Sequence, residues 1–341
     1  MKWSFVRDQI CITAPSMVRY FAASFTASIR STEDPTFSIV IPCYNDPKFL
    51  LETARSVKEQ QYKHVQVVFV NDGCFDATRN AIGEAVEMIG REVCVVIEQP
   101  NMGVAAARNA GIRCARGDWI VPLDYDDVIA SNYLVRCASL IKSDSGVDFI
   151  YPHSLKINVR DKYWIPRSPT PRRILDRCLF PAFSAYRKQL WERVGGYDVS
   201  HPLGMDDWEL FIKFVMNGAR MRRLPFFMGT WRGHEDNETH TARRNWDCGR
   251  AMITTLSHQW RTETELLNSF YAIANMSDEV YRRVQRKVEL FPDNPFPLLW
   301  MMLASKRLDK SLDFFGPDDV ASVLCRIGCP KVTAAFHRFM A

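Results

Sequence analysis

No stretch of this sequence approaches the roughly 18 consecutive apolar residues that span a bilayer, and its N-terminus shows no apolar core followed by a small-residue cleavage site. Neither a transmembrane segment nor a secretory leader is expected. Ten cysteines are present but scattered: CxxC does not occur, and Cys325 and Cys329 are the closest pair. That spacing fits neither a zinc site nor a disulfide framework, so reduced thiols in a cytoplasmic protein are expected. Charge of either sign is not in excess. The sequence has 44 basic against 39 acidic residues, +5 net, too little over 341 residues to suggest nucleic acid. Internal repeats and low-complexity tracts are missing. So are two phosphate-binding devices, GxGxxG after a first strand and GxxxxGK followed by Ser or Thr, which argues against dinucleotide-binding and P-loop folds.

What is present is a globular composition, 47% hydrophobic and 24% charged, long enough for one large domain or two smaller ones. The first half alternates. FSIVIP (37–42), VQVVFV (65–70), VCVVI (93–97) and WIVPL (119–123) are short, β-branched runs, each separated from the next by a segment with helical patterning. Asp76 is placed to start the second of these helices and Gly90 to stop it. Strands that are apolar on both faces, joined by crossovers of helical length, predict a parallel, doubly wound α/β sheet whose ligands sit beyond the carboxyl ends of the strands. There the sequence places Cys43, Tyr44 and Asn45, then Asn71, Asp72 and Gly73, then Gln99 to Gly103, and finally VPLDYDD (121–127).

That last stretch puts three carboxylates within four residues. In an extended chain alternate side chains share a face, which would set Asp124 and Asp126 together and Asp127 away from them. Two carboxylates on one face repel unless a cation or ligand hydroxyl offsets them. With no glycine-rich phosphate loop, a hard divalent cation, Mn²⁺ or Mg²⁺, is the expected neutraliser of a bound phosphate. Asp127 precedes VIASNYLVRCASLI, a helix-like run that it is placed to cap. The plainer alternative is that all three acids only end a strand and cap a helix.

FSIVIPCYN, VVFVNDGCFDAT, NMGVAAARNAGI and GDWIVPLDYDD together resemble, in order and spacing, the nucleotide-sugar-binding half of family 2 glycosyltransferases. The resemblance spans about residues 37–145 and continues more weakly to about 240 through VGGYD, MDDWEL and TWRGHEDNETH. It implies an α/β GT-A (Rossmann-like) fold with a mostly parallel central sheet, a helical C-terminal extension, and inverting transfer from a nucleotide sugar. A UDP-sugar donor and a saccharide or lipid-linked acceptor are favoured. Carried over residue by residue, Pro42, Tyr44 and Asn45 would shape the nucleotide pocket, with Tyr44 against the base. Asp72 would accept a hydrogen bond from the base. Asn101 and Gly103 would form the third loop, and Arg108 would approach the nucleotide or its diphosphate unless it lies on a solvated helix face. Asp124 would contact the ribose and Asp126 the metal. His234 would complete the metal site or meet phosphate, with His240 as a substitute. Asp207 would be the general base. Asp206-Asp207 stands where the family has Glu-Asp, so the choice between those two acids stays open.

The expected organisation is an N-terminal extension (1–36), a GT-A domain (37–245) made of a donor half (37–145) and an acceptor half (146–245), and a helical region (246–341). Lys2, Arg7, Arg19, Arg30, Phe21 and Phe25 leave a peripheral membrane contact open, although a packed or disordered extension is the plainer reading. Leu298, Trp300, Met301 and Met302 are expected in a core or packing face. The basic run PRSPTPRRILDR (166–177) reads either as a solvated loop or as a contact for an anionic acceptor. Two other readings compete. A non-catalytic nucleotide-sugar-binding or scaffold module would share the fold. A sugar-phosphate nucleotidyltransferase would need a glycine- and arginine-rich loop after the first strand, where IPCYND stands instead.

Overall fold

The four apolar runs of the first half form adjacent strands. In the computed structural model, which describes residues 10–12, 34–158, 163–233, 244–305 and 317–341, the chain begins with β1 (Ile10–Ile12), β2 (Phe37–Cys43), α1 (Leu50–Lys58) and β3 (Val65–Asp72). Next come α2 (Asp76–Ile89), β4 (Cys94–Gln99), α3 (Val104–Cys114), β5 (Trp119–Pro122), β6 (Val128–Ile129) and α4 (Tyr133–Ser143). After them follow β7 (Phe149–Ile157), β8 (Tyr163–Trp164), α5 (Pro171–Asp176), β9 (Ala185–Arg187), α6 (Lys188–Arg193), α7 (Asp206–Met216) and β10 (Met221–Arg232). The C-terminal part contributes α8 (Trp246–Leu256), α9 (Glu263–Ala274), α10 (Asp278–Leu290), α11 (Pro295–Ser305), α12 (Pro317–Ile327) and α13 (Pro330–Met340).

The strands make one mixed, mostly parallel sheet in the order β1-β4-β3-β2-β5-β9-β7-β10-β6, with β8 paired to β7. β1, β4, β3, β2 and β5 run parallel, β9 runs antiparallel to both its neighbours, and β6 closes the far edge antiparallel to β10. All seven residues of β2 are buried, as a central parallel strand covered on both faces requires. Gly111 of α3 explains how closely that cover sits: a Cβ there would lie 2.4 Å from Val40 Cγ1. α2 starts at Asp76, and Gly90 ends it at φ +126°, a conformation open to glycine and costly to other residues.

Contacts divide the chain into two compact units. The first takes Met1–Pro169, Leu179–Gly196 and Asn217–Gly233, and so holds the whole sheet. Its core joins Phe37, Ile39, Ile41, Phe69, Trp119 and Val121 to the buried faces of α1, α2 and α4. The second takes Thr170–Cys178, Tyr197–Met216 and His234–Ala341. Its core is built on Phe270, Leu299, Trp300, Met302, Phe336 and Phe339, while Leu298 and Met301 pack partly buried against it. Trp300 is fully buried, and its indole N–H donates to Thr255 Oγ1 at 2.9 Å, which satisfies the one polar atom that burial would otherwise penalise. Among the described residues no helix is long and apolar enough to cross a membrane.

One predicted element is shorter than expected. The run after Asp127 is not helical throughout: Val128 and Ile129 pair with β10, and α4 begins only at Tyr133 with Asn132 at its N-cap. A short apolar run carries no period that separates strand from helix, and here the open edge of β10 takes its first two residues.

Candidate active site

The first unit gathers its polar residues where the parallel strands end. Beyond β2, Tyr44 keeps 42% of its surface exposed, although an aromatic of that size is ordinarily mostly covered. Asn45 follows at φ +60°, a left-handed conformation that asparagine tolerates better than most residues. The Thr78 hydroxyl, from the first turn of α2, donates to the Asn45 carbonyl and fixes that turn. Asn45 Oδ1 is buried with no hydrogen-bond partner among the described residues, an acceptor left over inside the loop cluster. Pro42, one residue before the end of β2, is buried in register with Val70.

Beyond β3 the loops close on one another. Asp72, 2% exposed, accepts from Gln99 Nε2 at 2.7 Å and from the backbone N–H groups of Met102 (2.9 Å) and Gly103 (2.8 Å). Three of the roughly four lone-pair positions of that carboxylate are thereby committed to holding the loop that starts α3. Gly73 makes this approach possible, since at φ +75° a Cβ would stand 2.7 Å from the Asn101 backbone nitrogen. Asp72, Asn101 and Gly103 are thus brought together by the fold, with Asp72 as the clamp.

Beyond β5 the acidic stretch is a turn. The Asp127 N–H donates to the Asp124 carbonyl at 3.0 Å, so residues 124–127 fold back and the face-sharing expected of an extended chain does not apply. Asp124 Oδ1 instead meets Arg108 of α3 at 2.6 Å; Arg108 is 3% exposed, so it is no solvated helix residue. Asp127 caps no helix. Its Oδ1 accepts the backbone N–H of Arg232 at 3.0 Å, and burial first, then the neighbouring Asp126 and Asp124, push its carboxyl well above the ordinary range. Asp126 is 9% exposed, and its carbonyl accepts from Arg232 Nε at 3.0 Å.

The parts that hold this turn escaped sequence reasoning. The Thr53 hydroxyl, on the buried face of α1, lies 2.8 Å from the Tyr125 carbonyl and 2.7 Å from that of Asp127. One turn on, Ser56 Oγ accepts the Ile129 N–H at 3.3 Å, and Gln60 Nε2 donates to the Ala130 carbonyl at 2.8 Å. Arg232 completes the clamp through an ion pair with Glu52 at 2.8 Å, its guanidinium carbon 4.3 Å from the Phe49 ring centroid. A signal was available: Thr53 and Ser56 are polar among Leu50, Ala54 and Val57, on the face where α1 should be apolar.

Asp207 belongs to the second unit, in the first turn of α7. Its Oδ1 accepts from the Tyr197 hydroxyl at 3.2 Å, and it is half-buried, whereas Asp206 is 2% exposed. The next residue, Trp208, stacks on Trp246 with centroids 5.8 Å apart and donates from its indole N–H to the Ile174 carbonyl at 2.6 Å. In the same turn, Glu209 pairs with Lys213 at 2.9 Å, and burial raises its carboxyl to about 7. His234 and His240 lie outside the described residues.

Comparison with known proteins agrees with this architecture. Residues 38–202 match the family model for Glycosyl transferase family 2. Glycosyltransferase GlyA of Streptococcus pneumoniae is 36% identical over 101 residues, 30% of this chain and 14% of that protein. Amylovoran biosynthesis glycosyltransferase AmsB of Erwinia amylovora is 34% identical over 115 residues, 33% of this chain and 38% of that protein. The chain therefore matches well under half the length of these relatives. The crystal structure of S. aureus TarS 1–349 in complex with UDP-GlcNAc superposes with a TM-score of 0.55 at 18% identity, over 80% of this chain and 88% of that one, a likeness of fold. The turn of acids at the end of a central parallel strand, the loop cluster around it and these matches identify residues 38–202 as a glycosyl transferase family 2 domain, in a chain with the GT-A fold.

Proposed function

We propose that the chain transfers a sugar from a nucleotide-sugar donor, a UDP-sugar by preference, to a hydroxyl of a saccharide or lipid-linked acceptor with inversion at the anomeric carbon. The observation that carries this reading is the pair of buried Arg108 and half-buried Asp124 beside Asp126 in a turn held from three sides. Such rigidity has little use in a strand end that merely meets solvent, and much in a site that must hold a diphosphate in one pose. The exposed ring of Tyr44 offers a face for the base, with Asn45 next to it shaping the loop. UDP is favoured because the TarS structure of like fold carries UDP-GlcNAc. We assign residues 37–245 to the transferase domain on the same reading, and a cytoplasmic location accords with it.

The donor set suits a divalent cation. Among the described residues no three His, Cys, Asp or Glu side chains form a closed cage, and Mg²⁺ or Mn²⁺ bound with a nucleotide characteristically takes one or two carboxylates and completes its shell from phosphate and water. Asp126 would hold it, with His234 a further candidate. When bound, the cation offsets charge on the departing diphosphate. The remaining work falls to the chain. Arg108 holds Asp124 in place for the ribose, the Asp72 clamp keeps Met102 and Gly103 at the mouth of α3, and Asp207 accepts the proton of the attacking acceptor hydroxyl. The bond from that oxygen to the anomeric carbon forms as the bond to the diphosphate breaks.

Calorimetric titration with a panel of nucleoside diphosphates and their sugars, with and without Mn²⁺, tests the donor site. Release of nucleoside diphosphate from the donor that binds separates an enzyme from a binding module. If no nucleotide binds under either condition, the proposal fails.

A further inference from the structure

The basic run PRSPTPRRILDR returns in the structure as the wall of a cavity that the donor site does not use. A hollow of about 690 Å³ in the second unit is lined by Arg172 and Arg173 of α5, Arg250 of α8, Arg261, Asp176 and Glu265. This volume falls within the range of small-ligand sites, about 300–1,000 Å³.

Its four arginines face two carboxylates, and both acids are already engaged. Asp176 Oδ2 takes two hydrogen bonds from Arg177, at 2.9 and 2.7 Å, and Oδ1 stands 3.4 Å from Arg250. Glu265 Oε2 accepts the N–H and hydroxyl of Thr262 at the start of α9, each at 2.8 Å, which leaves Oε1 at 3.6 Å from Arg261. Arg261 is 7% exposed and held in place, donating from Nε to Ser257 Oγ at 3.0 Å and from Nη2 to the Leu175 carbonyl at 2.8 Å. Burial disfavours its charge, Glu265 only partly compensates, and Lys331 adds another cation, donating to the Arg261 carbonyl at 3.2 Å. An excess of guanidinium forks around a hollow suits planar or tetrahedral oxyanions, which they bind in pairs of hydrogen bonds; a neutral sugar offers nothing to offset the charge.

We propose that this cavity binds the anionic group of the acceptor, a phosphate or a uronate carboxylate carried on the saccharide that receives the sugar. The acceptor role rests on the transferase reading above, whereas anion binding itself does not. α5 ties the cavity to the chemistry assigned to this unit: its Ile174 carbonyl accepts the indole N–H of Trp208, the residue after Asp207. An anion held against α5 is thus held by the helix that supports the helix of the base.

The test is calorimetry on the full chain at fixed ionic strength, with pyrophosphate, digalacturonate and neutral maltose as probes. Wild type is expected to bind one or both anions at a single site and maltose not at all. Arg172 and Arg173 are exposed, so R172Q/R173Q should keep its circular dichroism and melting temperature while binding the anions about tenfold or more weakly. R250Q, also exposed, should weaken them severalfold. Which probe binds tells a phosphate from a uronate. Absence of anion binding in wild type, or binding undiminished in both variants, overturns the proposal. UDP affinity and donor hydrolysis, measured alongside, should be unchanged in the variants. Loss of both in wild type with anion binding intact would reject the transferase reading and the acceptor role while leaving the anion site standing.

Discussion

The guanidinium of Arg108 meets Asp124 at 2.6 Å, with 3% of the arginine side chain and 28% of the aspartate exposed. An arginine this deeply covered cannot recover its hydration when its partner goes, but the half-open aspartate can. Arg108→Ala is therefore expected to cost about 1–3 kcal/mol, below the range for a fully buried pair. It should also weaken nucleotide binding at least tenfold, because Asp124 loses the group that holds it. Arg108→Lys keeps the charge without the planar fork and should fall between the two. Thermal melting and nucleotide calorimetry on both variants check this; an Arg108→Ala protein with wild-type affinity would remove Arg108 from the donor site.

Thr53 makes a separate prediction, since its hydroxyl serves two carbonyls of the acidic turn at once, those of Tyr125 and Asp127. Thr53→Val keeps the shape and leaves both oxygens without that partner, at a cost of about 1–2 kcal/mol. If Thr53 positions the turn, the Mn²⁺ concentration needed for half-maximal nucleotide binding should rise severalfold, and Thr53→Ser should restore it. A lowered melting temperature with an unchanged metal requirement would make the contact purely structural.

How much of this was legible depended on whether a feature was local. β2, β3, β4 and β5 show in the sequence because a strand covered on both faces is an unbroken apolar run, and α2 shows because Asp76 and Gly90 mark its ends. The strand-end residues follow from topology, so Tyr44, Asn45, Asp72 and Asp124 could be listed before any coordinate was known. Their contacts could not. The 124–127 turn replaces the extended chain because of one hydrogen bond, and Asp127 finds its partner in Arg232, 105 residues away. Likewise, the joining of α5 and α7 with the C-terminal helices rests on contacts such as Trp208 with Trp246, which no periodicity encodes.

Glu209 should make stability depend on pH. Its carboxyl lies at about 7 in the folded chain against an ordinary 4.5, because burial outweighs the attraction of Lys213. A carboxyl raised on folding favours the folded state while it is protonated. That contribution is complete below about pH 4.5 and is lost as pH rises through about 7. Glu209→Gln keeps the shape without the ionisation, so the melting temperature of the variant relative to wild type should climb between those limits. Parallel pH profiles for the two proteins would show that Glu209 ionises normally.

Asp207 and Asp206 can be separated by what their loss should do. Asp206 is 2% exposed at the start of α7, where a carboxylate is favoured by the unpaired N–H groups of the first turn. Asp206→Asn should therefore act mainly on stability, by about 1 kcal/mol, with turnover per folded molecule close to wild type. Asp207 is half-buried, so part of its side chain is open to a substrate hydroxyl, and its Oδ1 accepts from the Tyr197 hydroxyl. Asp207→Asn retains the shape and removes the basic oxygen. It should lower kcat by about 10²- to 10⁴-fold, with nucleotide affinity and melting temperature near wild type. Tyr197→Phe should cost less, since it frees the carboxylate from one contact without removing it. The reverse pattern, an inactive Asp206→Asn protein and an active Asp207→Asn protein, would transfer the role of base to Asp206. Activity surviving in both single variants and in the double variant would place the base outside this acidic pair.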